Sequence, residues 1–153
     1  MSTTRSVLLA AGLTAAAFLS PAFAQEATVI DLTQTGCQFL ESEDGQDLGY
    51  QPAAKADCEA INAQTADERL AAHAPMHLAP GEYIFRVTNQ DVPYMLGFYL
   101  RGSGLIDKAL LPSVSGGGLH QGVTQDYAIT LEPGEYVYSC PLNTTPDYRL
   151  IVE

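Results

Sequence analysis

Two patterns of apolar and polar positions divide the chain. In the second half, apolar residues recur at every second position: Tyr83, Phe85 and Val87, then Tyr136 and Tyr138 leading into Cys140. A period of two marks strands with one buried face. Residues 95–100 and 123–131 supply further strands, and residues 149–153 a closing one. Residues 27–35 are rich in β-branched side chains, stop at Gly36, and read as the first strand. Residues 55–72 differ. They are rich in Ala, Glu and Gln, with Cys58, Ile61, Thr65 and Leu70 at helical spacing, and Pro75 ends them. The expectation is one helical insertion, residues 39–75, opening with an acidic, solvated loop over residues 41–49. Residues 101–122 read as loop, with the glycine run at 115–119 flexible.

A short repeat fixes the architecture. Leu78-Ala79-Pro80-Gly81-Glu82-Tyr83 returns as Leu131-Glu132-Pro133-Gly134-Glu135-Tyr136. Each copy is a Pro-Gly turn feeding an alternating strand, and the tyrosine after it is placed as in the tyrosine corner of sandwich folds. The fold class expected is all-β: a Greek-key sandwich of roughly seven strands with a short helical insertion.

Arg5, an apolar run over residues 7–19 and Ala22-Phe23-Ala24 form a secretory leader pattern. The run is too short to span a bilayer. Cleavage after Ala24 leaves residues 25–153 as one domain, bound for the periplasm, with no lipid-attachment cysteine and no membrane insertion. The net charge is −11, and loss of Arg5 makes it one unit more negative. That balance repels nucleic acid and anionic membrane, and attracts cations or a basic partner. No Ser-His-Asp order, zinc-binding His-Glu-x-x-His or paired acids occur, so no enzyme is expected. Three cysteines enter an oxidising compartment, and the odd count leaves one thiol over. Pairing Cys37 with Cys58 staples the insertion and leaves Cys140 free.

The chain resembles the cupredoxins. Three features carry the likeness: Cys140 at a strand end before a Pro-containing loop, the stretch Val87 to Tyr94 with its Pro93, and the paired Pro-Gly-Glu-Tyr turns. Among cupredoxins it is most similar to the EfeO-type cupredoxin-like domain of periplasmic iron-uptake systems, which also carries a cysteine after strand one, as Cys37 is here. The likeness covers about three quarters of the mature chain. It implies a metal-handling protein that holds or passes copper or iron for a transport system, with periplasmic or membrane transport proteins as partners. It also offers a second pairing, Cys37–Cys140. Blue-copper sites want a thiolate, two imidazoles and a weak axial methionine. Here Tyr94 and Asn143 stand in the histidine slots, and the acidic residues of the iron-type domain are replaced by Leu96 and Phe98.

Strand directions send Cys37, Cys58, Met76, Tyr94, Met95, His120 and Cys140 to one pole, with His73 beside them; His73 and His77 flank the helix end and face solvent. The candidate metal set is Cys140, Met95, His120 and Cys37. Thiolate, thioether and imidazole suit Cu(I), whereas Fe(III) wants carboxylates and phenolates. The alternative is a metal-free interaction module that docks a transporter or another partner.

Overall fold

The computed structural model describes residues 26–153, so the leader and its cleavage after Ala24 lie outside the described residues. Strand β1 is Thr28–Thr35 and β2 Gln38–Phe39; helix α1 is Lys55–Ala72; β3 is Met76–Leu78 and β4 Gly81–Asn89; β5 is Leu96–Gly102; helix α2 is Gly104–Leu110; β6 is Val114–Leu119, β7 Thr124–Leu131, β8 Gly134–Ser139 and β9 Tyr148–Val152. The alternation seen in the sequence is what builds the core. Tyr83, Phe85 and Val87 of β4, Tyr127, Ile129 and Leu131 of β7, Tyr136 and Tyr138 of β8 and Leu150 of β9 all turn inward.

Two sheets face each other, one ordered β2-β1-β4-β7 and the other β3-β9-β8-β5-β6. Strands β1 and β4 are parallel, as are β3 and β9, and the other pairs are antiparallel. The fold is an all-β sandwich with a short helical insertion. Aromatic rings stitch its layers, with Phe39 edge-on to Phe98, Tyr138 and Tyr148. Both Pro-Gly turns carry the chain from one sheet to the other. The Tyr83 hydroxyl donates to the Ala79 carbonyl at 2.8 Å, and the Tyr136 hydroxyl to that of Glu132 at 3.0 Å. Both are tyrosine corners.

Three expectations are corrected. There are nine strands among the described residues rather than roughly seven, because short β2 and β3 and the glycine-rich β6 all pair. The stretch read as loop at 101–122 contains α2 and β6. Its glycines serve close approach: a Cβ on Gly97 would sit 2.5 Å from the Gly116 carbonyl oxygen, and one on Gly116 would sit 2.9 Å from the Tyr127 ring. The acidic segment 41–49 is not wholly solvated either. Glu41–Glu43 forms a 3-10 turn, and Glu43 is 1 % exposed.

Helix α1 buries Cys58, Asn62 and Arg69, a polar stripe rather than an apolar one. It is therefore held by hydrogen bonds and a disulfide more than by hydrophobic burial. The Asp57 carboxylate accepts the N–H groups of Ala53 and Ala54 at 2.8 and 3.0 Å, closing its N-terminus. No helix among the described residues is long and apolar enough to cross a membrane.

Candidate functional site: the Cys140 pole

Cys140 follows β8 directly and is fully buried. The loop after it curls back: the Cys140 amide donates to Thr145 Oγ1 at 2.9 Å, and the Thr145 amide to the Cys140 carbonyl at 3.3 Å. The sulfur accepts two amides, Gly97 N–H at 3.3 Å and Asn143 N–H at 3.2 Å. Burial pushes the Cys140 thiol above its ordinary pKa, against the pull of the amides of Gly97, Asn143 and Leu142 and of Gln34. Cys140 therefore holds its proton.

Asn143 occupies the slot three residues on, and its amide is fully engaged. Its Nδ2 donates to the Thr35 carbonyl at 2.8 Å and to Gln34 Oε1 at 3.4 Å; its Oδ1 accepts the Cys37 amide at 3.0 Å and packs 3.3 Å from Cys58 Sγ. Gln34 in turn donates to the Gly97 carbonyl at 2.9 Å. Gly97 is thus held at both ends, its N–H by the sulfur and its C=O by Gln34. Asn143 ties the first strand, the first turn and the last loop together.

Cys37 and Cys58 form a disulfide, with 5.1 Å between Cα atoms and a sequence separation of 21. Cys140 is the free cysteine. The alternative pairing Cys37–Cys140 is not formed, and Cys37, placed among the candidate ligands, has no thiolate to offer in this state. A buried polar network lies against the disulfide. Arg69 donates to Glu43, with Nε at 3.0 Å and Nη2 at 2.5 Å, and to the Cys37 carbonyl at 3.2 Å. Asn62 links Arg69 to the carbonyls of Cys37 and Thr144. The Tyr148 hydroxyl donates to Glu43; burial and then that carboxylate drive its pKa far upward.

On the other side, Asn89 binds the carbonyls of Val92, Tyr94 and Leu119, and its own oxygen accepts the Val92 amide at 2.9 Å. That fixes the loop carrying Tyr94, whose hydroxyl lies 3.6 Å from Cys58 Sγ and whose pKa burial raises to about 12. Met95 and His120 flank strands that meet at Leu96 and Leu119, so both reach this pole. Met95 is 45 % exposed and His120 is also exposed, whereas Cys140 is enclosed. Met76 opens β3 beside Leu150, and His73 and His77 pair with Asp44 and Glu153. Among the described residues, no group of three His, Cys, Asp or Glu could hold a metal ion.

The copper that the resemblance implies does not fit these residues. The sulfur it would need is fully enclosed and already accepts two backbone amides, and one imidazole slot is filled by an amide with every near partner taken. The other slot holds a phenol turned to a disulfide. Gln34, Glu43, Asn62 and Arg69, which organise the pole, carried no local signal in the sequence, where the helical face was read as Cys58, Ile61, Thr65 and Leu70; the buried face is Cys58, Asn62 and Arg69.

No family model matches the sequence, and no curated protein matches it. Among solved structures, the chain is similar to a multi-copper oxidase from Pediococcus acidilactici (12 % identity, 99 % of this chain and 31 % of that one, TM-score 0.44). It is also similar to Lac15 from a marine microbial metagenome (16 %, 99 % and 32 %, TM-score 0.40). An oxidised mutant of amicyanin matches at 15 % identity over 86 % of this chain and 87 % of that one, with TM-score 0.41. The chain spans about a third of the length of the two large proteins. All three scores lie below 0.5.

Proposed function

We propose that this chain is an exported, cupredoxin-like interaction module whose would-be metal pole is closed and serves as a rigid docking end. One observation carries the reading. Asn143, in the position of a copper imidazole, spends its amide on Thr35, Gln34 and Cys37 and its own N–H on the Cys140 sulfur. A side chain so committed is a structural keystone, and freeing it to admit a metal breaks its three hydrogen bonds to the first strand and the turn after it. The Cys37–Cys58 disulfide and the leader pattern support an oxidising compartment, the periplasm by the reading of the leader. Catalysis is not part of the proposal. Copper or iron handling for a transport system is the disfavoured reading, because Met95 and His120 stand exposed while Cys140 is enclosed.

The test is titration of the disulfide-intact protein with Cu(II) and Cu(I), read by absorption and calorimetry. The expectation is no stoichiometric uptake and no intense band near ~600 nm, the region of copper–thiolate charge transfer. Tight one-to-one copper binding with that band would overturn the closed-pole reading.

A further inference from the structure

The same pole carries an open cleft of about 420 Å³ between the insertion and the β4–β5 loop. One wall is Tyr50, Pro52 and Ala53; the other is Asp91, Val92 and Pro93, with Gly36 at the floor. The walls are rigid for stated reasons. Pro52 is buried, and a Cβ on Gly36 would sit 2.1 Å from the Tyr50 carbonyl oxygen, so Tyr50 and Pro52 rest directly on the β1–β2 turn. Val92 is buried and clamped by Asn89. Arg69 lies over the Tyr50 ring at 5.6 Å from its centre. Ala53, Pro93 and part of the Tyr50 ring are thus presented to solvent over buried Pro52 and Val92, a preformed groove as binding clefts require.

The charges choose the occupant. Asp91 is exposed and makes no hydrogen bond or ion pair among the described residues. Asp57 stands behind Ala53 with its carboxylate on that residue's amide. The nearby cations are spent: Lys55 pairs with Glu59 at 3.1 Å, and Arg69 is buried on Glu43. The whole chain is at −11, so cationic groups are drawn to it.

Resting on the docking reading above, we infer that this cleft takes an arginine-bearing segment of a partner protein. The apolar stem of an arginine lies along Ala53 and Pro93, and its flat guanidinium meets Tyr50 and the Asp91 carboxylate. Guanidinium suits this better than ammonium, because it stacks on rings and binds carboxylates in a fork.

Calorimetric titration of the disulfide-intact protein with blocked hexa-arginine, hexa-lysine and hexa-glutamate tests the inference. One-to-one binding of hexa-arginine is expected, hexa-lysine weaker and hexa-glutamate absent. Asp91→Asn should weaken hexa-arginine roughly fivefold or more, the scale of a lost charge-assisted bond. Glu132→Gln removes the same charge at the opposite pole and should change affinity less than about twofold. Tyr50→Leu should lower arginine affinity and erase the preference over lysine; if it unfolds the chain, the exposed Asp91 substitution still decides. Equal effects of Asp91→Asn and Glu132→Gln, or no binding at all, would refute the cleft. Either result leaves the copper titration, and with it the closed pole, standing.

Discussion

The two ends of the sandwich are built on different principles. At the turn end, order is local and repeated: each tyrosine corner closes on a residue four positions earlier, Tyr83 on Ala79 and Tyr136 on Glu132. At the Cys140 end, order is long-range and unique. Asn143 binds segments more than 100 residues away in sequence, and Arg69 joins the insertion to the β1–β2 turn and the last strand. The first design is a pair of independent clamps. The second is one connected network, in which each polar group is buried only because its neighbours satisfy it.

The sharpest way to break this contrast is Arg69→Ala. It strands Glu43 in the interior without its cation, and should cost about 3–5 kcal/mol, the range for removing one member of a buried pair. Urea denaturation measures it. Arg86 forms an equally well-aligned pair with Asp126 at 2.8 Å, but on the exposed sheet surface. Arg86→Ala should move the midpoint far less than Arg69→Ala does, because solvent screens an exposed pair.

Alkaline pH acts on the same network. Burial raises Tyr138 and Tyr94 to about 12, and raises Cys140 and Tyr148 as well. Each group binds its proton more tightly folded than unfolded. Their contribution to stability is therefore complete below the unfolded thiol value of about 8.5 and is lost as pH rises through the folded values. Denaturation midpoints should fall steadily above pH ~9, and Cys140→Ser should flatten the first part of that fall. A midpoint that holds constant to pH ~11 would speak against burial of these groups.

Smaller than the network's effects are those at the turn end. Tyr83→Phe and Tyr136→Phe should each cost about 1 kcal/mol, the net worth of a hydrogen bond. They should add within about 0.5 kcal/mol in the double variant. Asn62→Ala with Asn143→Ala should not add, because both side chains hold the Cys37 backbone, Asn62 at its carbonyl and Asn143 at its amide. Additivity there would dissolve the distinction between clamps and network.

The same contrast explains what could be read from the sequence. The Pro-Gly-Glu-Tyr copies and the alternation at Tyr83, Phe85, Val87 and Tyr136, Tyr138 carry their geometry within six residues, so the sandwich and its strand directions were legible. The directions in turn brought Cys37, Cys58, Tyr94 and Cys140 to one pole. Which side chains would meet there was not legible. Glu43 looked like one more solvated acid until Arg69, 26 residues on, was folded over it. Asn143 could be seen to stand in a histidine's place, but only its partners on β1 make it a keystone. The glycines at 116 and 117 looked flexible because close approach to Gly97 and Tyr127 is invisible in a linear pattern.

The central claim is that Cys140 is a free thiol enclosed against Asn143, beside a separate disulfide. Thiol titration with an aromatic disulfide reagent, without reductant, tests it directly. The account predicts no fast reaction in the native protein and one thiol after denaturation, mapped to Cys140, with native reactivity appearing once Asn143→Gly removes the amide. Immediate reaction of the native wild type, or three thiols on denaturation, would contradict it.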